Sequence, residues 1–205
     1  MINHSAVRPN VVFAFHGCDE ATGEEILRGA EMVPGNKPYD WLGRGRYFWE
    51  ADPSRAMKWA VEARDRHAKE KRTSDVVRRP YVIGAVIRYG ECLDLTSFTG
   101  VALVRDGHKS LIANLTAVSQ PIPQNLGGTE MKGRYLDCAV VNHTCSEYLD
   151  KRKVDFDTVR AVFLEGETLY ANAGFREKTH TQLCVRRAEA ILGIFRVTQP
   201  EIEGL

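Results

Sequence analysis

The stretch Gly43-Arg44-Gly45-Arg46-Tyr47-Phe48-Trp49 decides how the centre of this chain folds. Its two glycines permit a tight turn, and the aromatic run that follows is typical of a short β-strand. Directly downstream, Asp52 and Pro53 predict the start of a helix, with aspartate as the N-cap and proline in the first turn. The apolar face of this helix comprises Ala56, Met57, Ala60 and Val61. Together these features predict a rigid frame for a small flat ligand.

The composition is that of one well-buried domain. The 205-residue chain is 43% hydrophobic and has a formal net charge of +1, so no overall attraction to nucleic acid or to an anionic membrane is expected. No apolar run is long enough to span a bilayer, and the N-terminus has no signal-peptide pattern. The cysteines lack C-x-x-C spacing, which predicts reduced thiols in a cytoplasmic protein with neither a disulfide frame nor a metal site: Cys18, Cys92, Cys138, Cys145 and Cys184.

Hydrophobic periodicity outlines an alternation of strands and helices. Strands are predicted over 11–15, 47–49, 80–88, 91–95, 159–164, 181–186 and 191–197. Helices are predicted from Asp19 or Thr22 to about Leu27, from Pro53 into the charged segment 62–72, and over 97–119 and 135–149. This order predicts an α+β domain over 11–197 with a central, mainly antiparallel sheet, a loose arm over 1–10 and a disordered tail over 198–205.

Three motifs, in this order, resemble those of the ADP-ribosyltransferase fold, in the branch that includes diphtheria toxin and the poly(ADP-ribose) polymerases. That branch has a split antiparallel sheet with flanking helices and a His-Tyr-Glu signature on three strands. Its His-Gly strand end and the helix after it are similar to Phe15-His16-Gly17-Cys18 and Glu25-Ile26-Leu27-Arg28-Gly29. Its glycine turn, Tyr-Phe strand and following helix resemble Leu42–Phe48 and Ser54-Arg55-Ala56-Met57-Lys58-Trp59-Ala60. Its late strand resembles Thr181-Gln182-Leu183-Cys184-Val185, with glutamine where the family usually has glutamate.

The resemblance implies that the site uses NAD+ as a co-substrate and needs no metal. His16 would hydrogen-bond the adenosine-side ribose, and Gly17 would bind the nicotinamide carboxamide through its backbone N–H and C=O. Tyr47 would stack on the nicotinamide ring, and Trp59 would cover the other face of that ring. Gln182 would hydrogen-bond the nicotinamide-side ribose.

Glutamine at position 182 changes the activity that the resemblance implies. An amide orients a ribose, but it can neither take a proton nor stabilise positive charge as a carboxylate does. Mono-ADP-ribosylation is therefore expected, rather than polymer formation or NAD+ hydrolysis. Glu165 or Glu167, in the loop before this strand, is a candidate for the missing carboxylate.

A stand-alone domain of this kind resembles the toxin of a bacterial toxin–antitoxin or phage-defence system. The expected partners are an antitoxin and an RNA, DNA or protein acceptor, which would be modified as nicotinamide is released. Local basic residues favour a nucleic acid: Arg44, Arg46, Lys69, Lys71, Arg72, Arg78, Arg79, Arg186 and Arg187. Two alternatives stay open, an RNA 2′-phosphotransferase-like enzyme, which also consumes NAD+, and a non-catalytic module that binds NAD+ or ADP-ribose.

Overall fold

The computed structural model describes residues 10–73, 76–126 and 133–200. In these ranges strands and helices alternate, as the sequence predicts. Within these ranges there are seven strands, β1 (Val11–Asp19), β2 (Arg46–Glu50), β3 (Pro80–Arg88), β4 (Cys92–Asp94), β5 (Thr158–Phe163), β6 (His180–Val185) and β7 (Ile191–Arg196). The same ranges contain four α-helices, α1 (Glu20–Leu27), α2 (Pro53–Lys69), α3 (Phe98–Ala117) and α4 (Tyr135–Arg152), and a short 3-10 helix (Ala188–Ala190).

The strands form one sheet in the order β4-β5-β6-β2-β1-β3-β7. Among the described residues every pairing is antiparallel except that of β4 with β5, so the predicted α+β class and mainly antiparallel sheet are confirmed. The resemblance implies a split sheet. The observed sheet is continuous, but its central joint, between β1 and β2, is only two residue pairs long.

Helices cover both faces of this sheet. On one face, α1 packs over a cluster that includes Phe48, Ile83 and Leu183, which are fully buried. The other face has two separate clusters, one under α2 around Trp49 and Val82, and one under α4. The α4 cluster includes Val141, Val159 and Cys184. β2 contributes Trp49 to the α2 cluster and Tyr47 to the α4 cluster, and the candidate site lies at this boundary.

Aspartate side chains cap the N-termini of the first two helices. The Asp52 carboxylate accepts a hydrogen bond from Arg55 N at 2.8 Å, which confirms the predicted start of α2. Asp19, rather than Thr22, is the N-cap of α1, because its carboxylate accepts from Ala21 N at 3.1 Å. The same carboxylate accepts from Arg78 N and Arg79 N, so it also fixes the approach to β3.

Both ends of the described chain are tied to the sheet. Asn10 O accepts from Tyr89 N at 3.0 Å. The Gln199 amide accepts from Val82 N at 2.8 Å and donates to Val82 O at 3.1 Å, so the tail predicted over 198–205 is anchored at this residue. Residues 1–9 of the predicted arm and 201–205 of the tail lie outside the described residues. Within the described ranges no helix combines the length and apolarity needed to cross a membrane.

Candidate active site at the joint between β1 and β2

The β1–β2 ladder stops inside the sheet. Ala51 N donates to Phe13 O at 3.0 Å, and Phe15 pairs with Trp49. Because alternate residues of an antiparallel strand point their N–H and C=O groups to the same neighbour, the next exchange would join Gly17 to Tyr47. The ladder does not include that exchange, although β1 continues to pair with β3 as far as Asp19. The backbone of Gly17 therefore faces β2 without a partner in that strand.

The His16 side chain closes the end of the ladder. Its Nδ1 lies 2.8 Å from Tyr47 O, the carbonyl that a continued ladder would have used. A carbonyl only accepts, so Nδ1 carries the proton and Nε2 is an acceptor while the ring is neutral. Burial lowers the pKa of His16, which favours the neutral ring. The imidazole thus presents Nε2 as a fixed acceptor beside the joint.

The side chain of Tyr47 is held in place by two hydrogen bonds of its hydroxyl. Its hydroxyl donates to Gly43 O at 2.7 Å and accepts from Leu42 N at 3.0 Å. Gly43 adopts a φ of +76°, a turn conformation that suits glycine, so the predicted glycine turn serves to hold the Tyr47 phenol. The half-buried ring packs against the α4 cluster. Burial raises the pKa of the Tyr47 phenol, so the hydroxyl stays protonated.

Gly17 is small because α2 lies against it. A Cβ at this position would be 2.2 Å from Ala56 O in α2. The missing side chain therefore permits close packing of α2 against β1. The N–H and C=O of Gly17 lie in the plane of the sheet and point towards the joint, whereas α2 packs against the face of the sheet.

Gln182 lies at the boundary of the two clusters. It is opposite Trp49 in β2 and Ala161 in β5, and paired residues share a face of the sheet. Gln182, Trp49 and Tyr47 therefore lie on the face that carries α2 and α4. His16 pairs with Ile83, so its side chain starts on the face that carries α1, and its Nδ1 reaches Tyr47 O from that face. The Gln182 side chain is half-buried and lies between a member of the α2 cluster, Trp49, and a member of the α4 cluster, Ala161.

Trp59 contributes to a row of rings on the same face as Gln182. Its centroid is 5.6 Å from that of Trp49, which is 6.2 Å from His180. His180 is 5.6 Å from Phe163, and Phe163 is 4.4 Å from Trp41. The direct ring neighbour of Trp59 is thus Trp49, whereas the interpretation from sequence paired it with Tyr47 across a ligand. Trp41, Phe163 and His180 were missed, although His180 has the strand periodicity of Gln182 and Trp41 adjoins the glycine turn.

The loop between β5 and β6 brings Glu165, and not Glu167, towards this face. Glu165 Oε2 lies 2.7 Å from Nη2 of Arg55, a buried residue in the first turn of α2. Glu167 is exposed, and its backbone carbonyl accepts from Glu177 N. Arg55 had no assigned role in the sequence analysis, because its partner is 110 residues away.

Several basic residues in the predicted nucleic-acid patch are engaged in the fold. Arg46 is buried, where its guanidinium donates to Met32 O and to Glu31. Arg79 pairs with Glu20, and Arg187 with Asp157 and Glu189. Arg46 is therefore unsuited to contact an acceptor. An open pocket beside α1 includes Arg46, Ile26 and Ile194, but none of the predicted site residues.

Within the described ranges no group of three or more His, Cys, Asp or Glu side chains is arranged to hold a metal ion. The joint brings together an imidazole bonded to Tyr47 O, the Gly17 backbone without a partner in β2 and a fixed phenol, and Gln182 lies on the neighbouring strand β6. Comparison of the chain with protein-family models, curated proteins and solved structures finds no match.

Proposed function

We propose that this protein is an NAD+-dependent mono-ADP-ribosyltransferase that modifies a nucleic-acid or protein acceptor and releases nicotinamide. The observation that carries the proposal is the early end of the β1–β2 ladder, which leaves the Gly17 backbone facing the Tyr47 side of the joint. The N–H and C=O of Gly17 match the two groups of a primary carboxamide, an acceptor and a donor. Nicotinamide would thus complete the ladder where Tyr47 does not.

Each residue at the joint suits one part of this substrate. The fixed Tyr47 ring offers a face for stacking on the pyridine ring. Nε2 of neutral His16 is an acceptor for a ribose hydroxyl. Gln182, on the same face as Tyr47, supplies an amide for the nicotinamide-side ribose. Because these groups are held by the sheet and the glycine turn, catalysis would depend on positioning and charge stabilisation rather than on a strong nucleophile.

The test is transfer of label from NAD+ to an acceptor. Purified protein would be incubated with labelled NAD+ and whole-cell lysate, and the products divided among RNase, DNase and protease. Label that is retained after two treatments and lost after the third would establish transfer and name the acceptor class. RNA 2′-phosphotransfer would instead yield a cyclic ADP-ribose phosphate.

Two tyrosine variants make the test specific. Tyr47→Ala removes the proposed stacking ring, so labelling should fall to background. Tyr170→Ala changes a tyrosine that is 61% exposed, and it should label as wild type does. Neither label nor nicotinamide release from wild type in any fraction would contradict the proposal, and retained NAD+ binding would then favour a non-catalytic module.

A further inference from the structure

Arg55 is buried with most of its hydrogen-bonding capacity unused. The side chain is 8% exposed, and Nη2 contacts Glu165. Nε and Nη1 are buried and find no hydrogen-bond partner in the described part of the chain. The guanidinium lies 5.7 Å from the centroid of the Trp49 ring. A buried arginine that is satisfied at one nitrogen only is uncommon in protein interiors and calls for a functional explanation.

The guanidinium of Arg55 lies over β2, the strand that pairs with the one carrying Gln182. Trp49, whose ring Arg55 covers, is the cross-strand neighbour of Gln182. Trp49 Nε1 is also buried without a partner among the described residues. Within the described ranges, three nitrogen atoms with unpaired N–H groups, Nε and Nη1 of Arg55 and Nε1 of Trp49, are therefore buried over the strand that pairs with Gln182.

Backbone and side-chain bonds tie Glu165 to β6. Lys178 N donates to Glu165 O at 3.0 Å, and Lys178 O accepts from His180 Nδ1 at 2.7 Å. His180 begins β6, two residues before Gln182. Lys178 is itself held by Glu62 of α2, at 2.8 Å. The position of Glu165 relative to Gln182 is thus set at its backbone by Lys178 and at its carboxylate by Arg55.

We propose that Glu165 supplies the catalytic carboxylate, which the neutral amide of Gln182 cannot supply, and that Arg55 is the positioning residue of Glu165. This inference rests on the proposed function. The bond between the ribose C1′ and nicotinamide breaks, and its electron pair leaves with neutral nicotinamide. An oxygen or nitrogen of the acceptor forms the new bond to C1′, and the proton that it loses passes to Glu165. Before that transfer, the carboxylate stabilises the positive charge that develops on the ribose.

The first measurement is nicotinamide release by the full chain from NAD+ in the presence of lysate. Glu165→Gln keeps an oxygen for Arg55 but removes the charge, so turnover should fall by about 100-fold or more. The NAD+ dissociation constant, measured by calorimetry, should stay within about threefold, because the lost interaction acts in the transition state. Glu167→Gln, the matched control on the same loop, should leave both quantities unchanged.

Rescue separates catalysis from structural support. Adding Gln182→Glu to Glu165→Gln returns a carboxylate to the same face of the sheet, and turnover should recover at least tenfold, as far as general-base catalysis allows. Arg55→Ala should lower turnover as Glu165→Gln does. The Arg55→Ala, Glu165→Gln pair should lose little more than either alone, because residues that act as a unit are not additive. Glu165→Asp, which retains the ion pair, keeps the charge and should retain part of the activity.

The outcomes distinguish the two proposals. If wild type releases nicotinamide and Glu165→Gln does so equally fast, the inference is overturned while the proposed function stands. Absence of nicotinamide release from wild type would overturn both. If Glu165→Gln unfolds at the assay temperature, the catalytic role is tested with Glu165→Asp and with the double variant that adds Gln182→Glu. Full activity of Glu165→Asp, together with no rescue by Gln182→Glu, would reject the catalytic role of Glu165.

Discussion

Tyr47 shows how a single hydroxyl can define a site. Its ring is held by packing against the α4 cluster and by the bonds of the phenol to Gly43 O and Leu42 N. Tyr47→Phe keeps the ring, leaves Leu42 N without its acceptor and leaves Gly43 O with only the long contact to Cys184 Sγ, at 3.8 Å. The free energy of unfolding should fall by about 1–3 kcal/mol, and the KM for NAD+ should rise.

Urea denaturation and nicotinamide-release kinetics would measure these two effects. Tyr170→Phe, on an exposed side chain, is the control and should change the free energy of unfolding by less than about 0.5 kcal/mol. A Tyr47→Phe protein as stable and as active as wild type would show that the turn holds itself.

Gly17 allows a second test at a single position. Gly17→Ala would place a Cβ 2.2 Å from Ala56 O, so α2 must shift and stability should fall by about 1–3 kcal/mol or more. Gly193→Ala, in β7, is the matched control because a Cβ there meets nothing within 4 Å. Thermal unfolding of both variants would measure the difference. Equal melting temperatures would refute the role given to Gly17 in helix packing.

The sequence predicts some residues of the candidate site and gives no signal for others, for a physical reason. His16, Gly17 and Tyr47 stand within recognisable local patterns, and the structure brings these residues together at one joint. Arg55 and Glu165 are far apart in sequence, and nothing local to either indicates the ion pair that they form. Contacts of this kind depend on the tertiary fold, which sequence spacing does not reveal.

At the scale of the element, α2 connects the site to the sheet. Its N-cap, Asp52, accepts from Arg55 N, so the cap orders the turn that carries the Arg55 side chain. The helix then covers Gly17 and supplies Trp59 to the row of rings. One capped helix therefore positions three parts of the candidate site.

Removing the Asp52 cap should lower the free energy of unfolding. Asp52→Ala loses the side-chain acceptor and should lower the free energy of unfolding by about 0.5–2 kcal/mol. Asp52→Asn keeps an acceptor at the same position and should retain most of the stability. Chemical denaturation measures both variants, and an alanine variant as stable as the asparagine variant would contradict the capping role.

Most element boundaries follow from local chemistry, and β1 shows where such rules fail. Pattern alone predicts a strand over 11–15, because polar His16 and small Gly17 interrupt the apolar run. The observed strand extends to Asp19, since pairing with β3 continues over nine residues. Tertiary pairing thus overrides local propensity at the residues that form the site.

At the scale of the whole molecule, three histidines make stability depend on pH: His67 and His180, which are buried, and His16, which is partly buried. Burial lowers the pKa of His16, His67 and His180 below the unfolded value of about 6.5. The unfolded chain therefore binds more protons as the pH falls below about 6.5. The free energy of unfolding should be highest above this pH and should decline as the pH falls through the folded pKa values.

Denaturant unfolding at pH 7.5 and pH 5.5 would measure the decline. Replacing His180 by glutamine should reduce it, because one of the three contributing side chains is lost. A free energy of unfolding that stays constant between the two pH values would contradict the assignment of neutral histidines.

The two-pair joint between β1 and β2 also has a consequence for amide hydrogen exchange. The N–H of Gly17 faces β2 without a partner in that strand, so it should exchange with deuterium faster than the Phe15 N–H, which lies in the ladder. A ligand that bonds Gly17 and also contacts β6 would link two halves of the sheet that now share two residue pairs. Binding of NAD+ should therefore slow exchange in β1 and β6 together, although these strands do not touch each other.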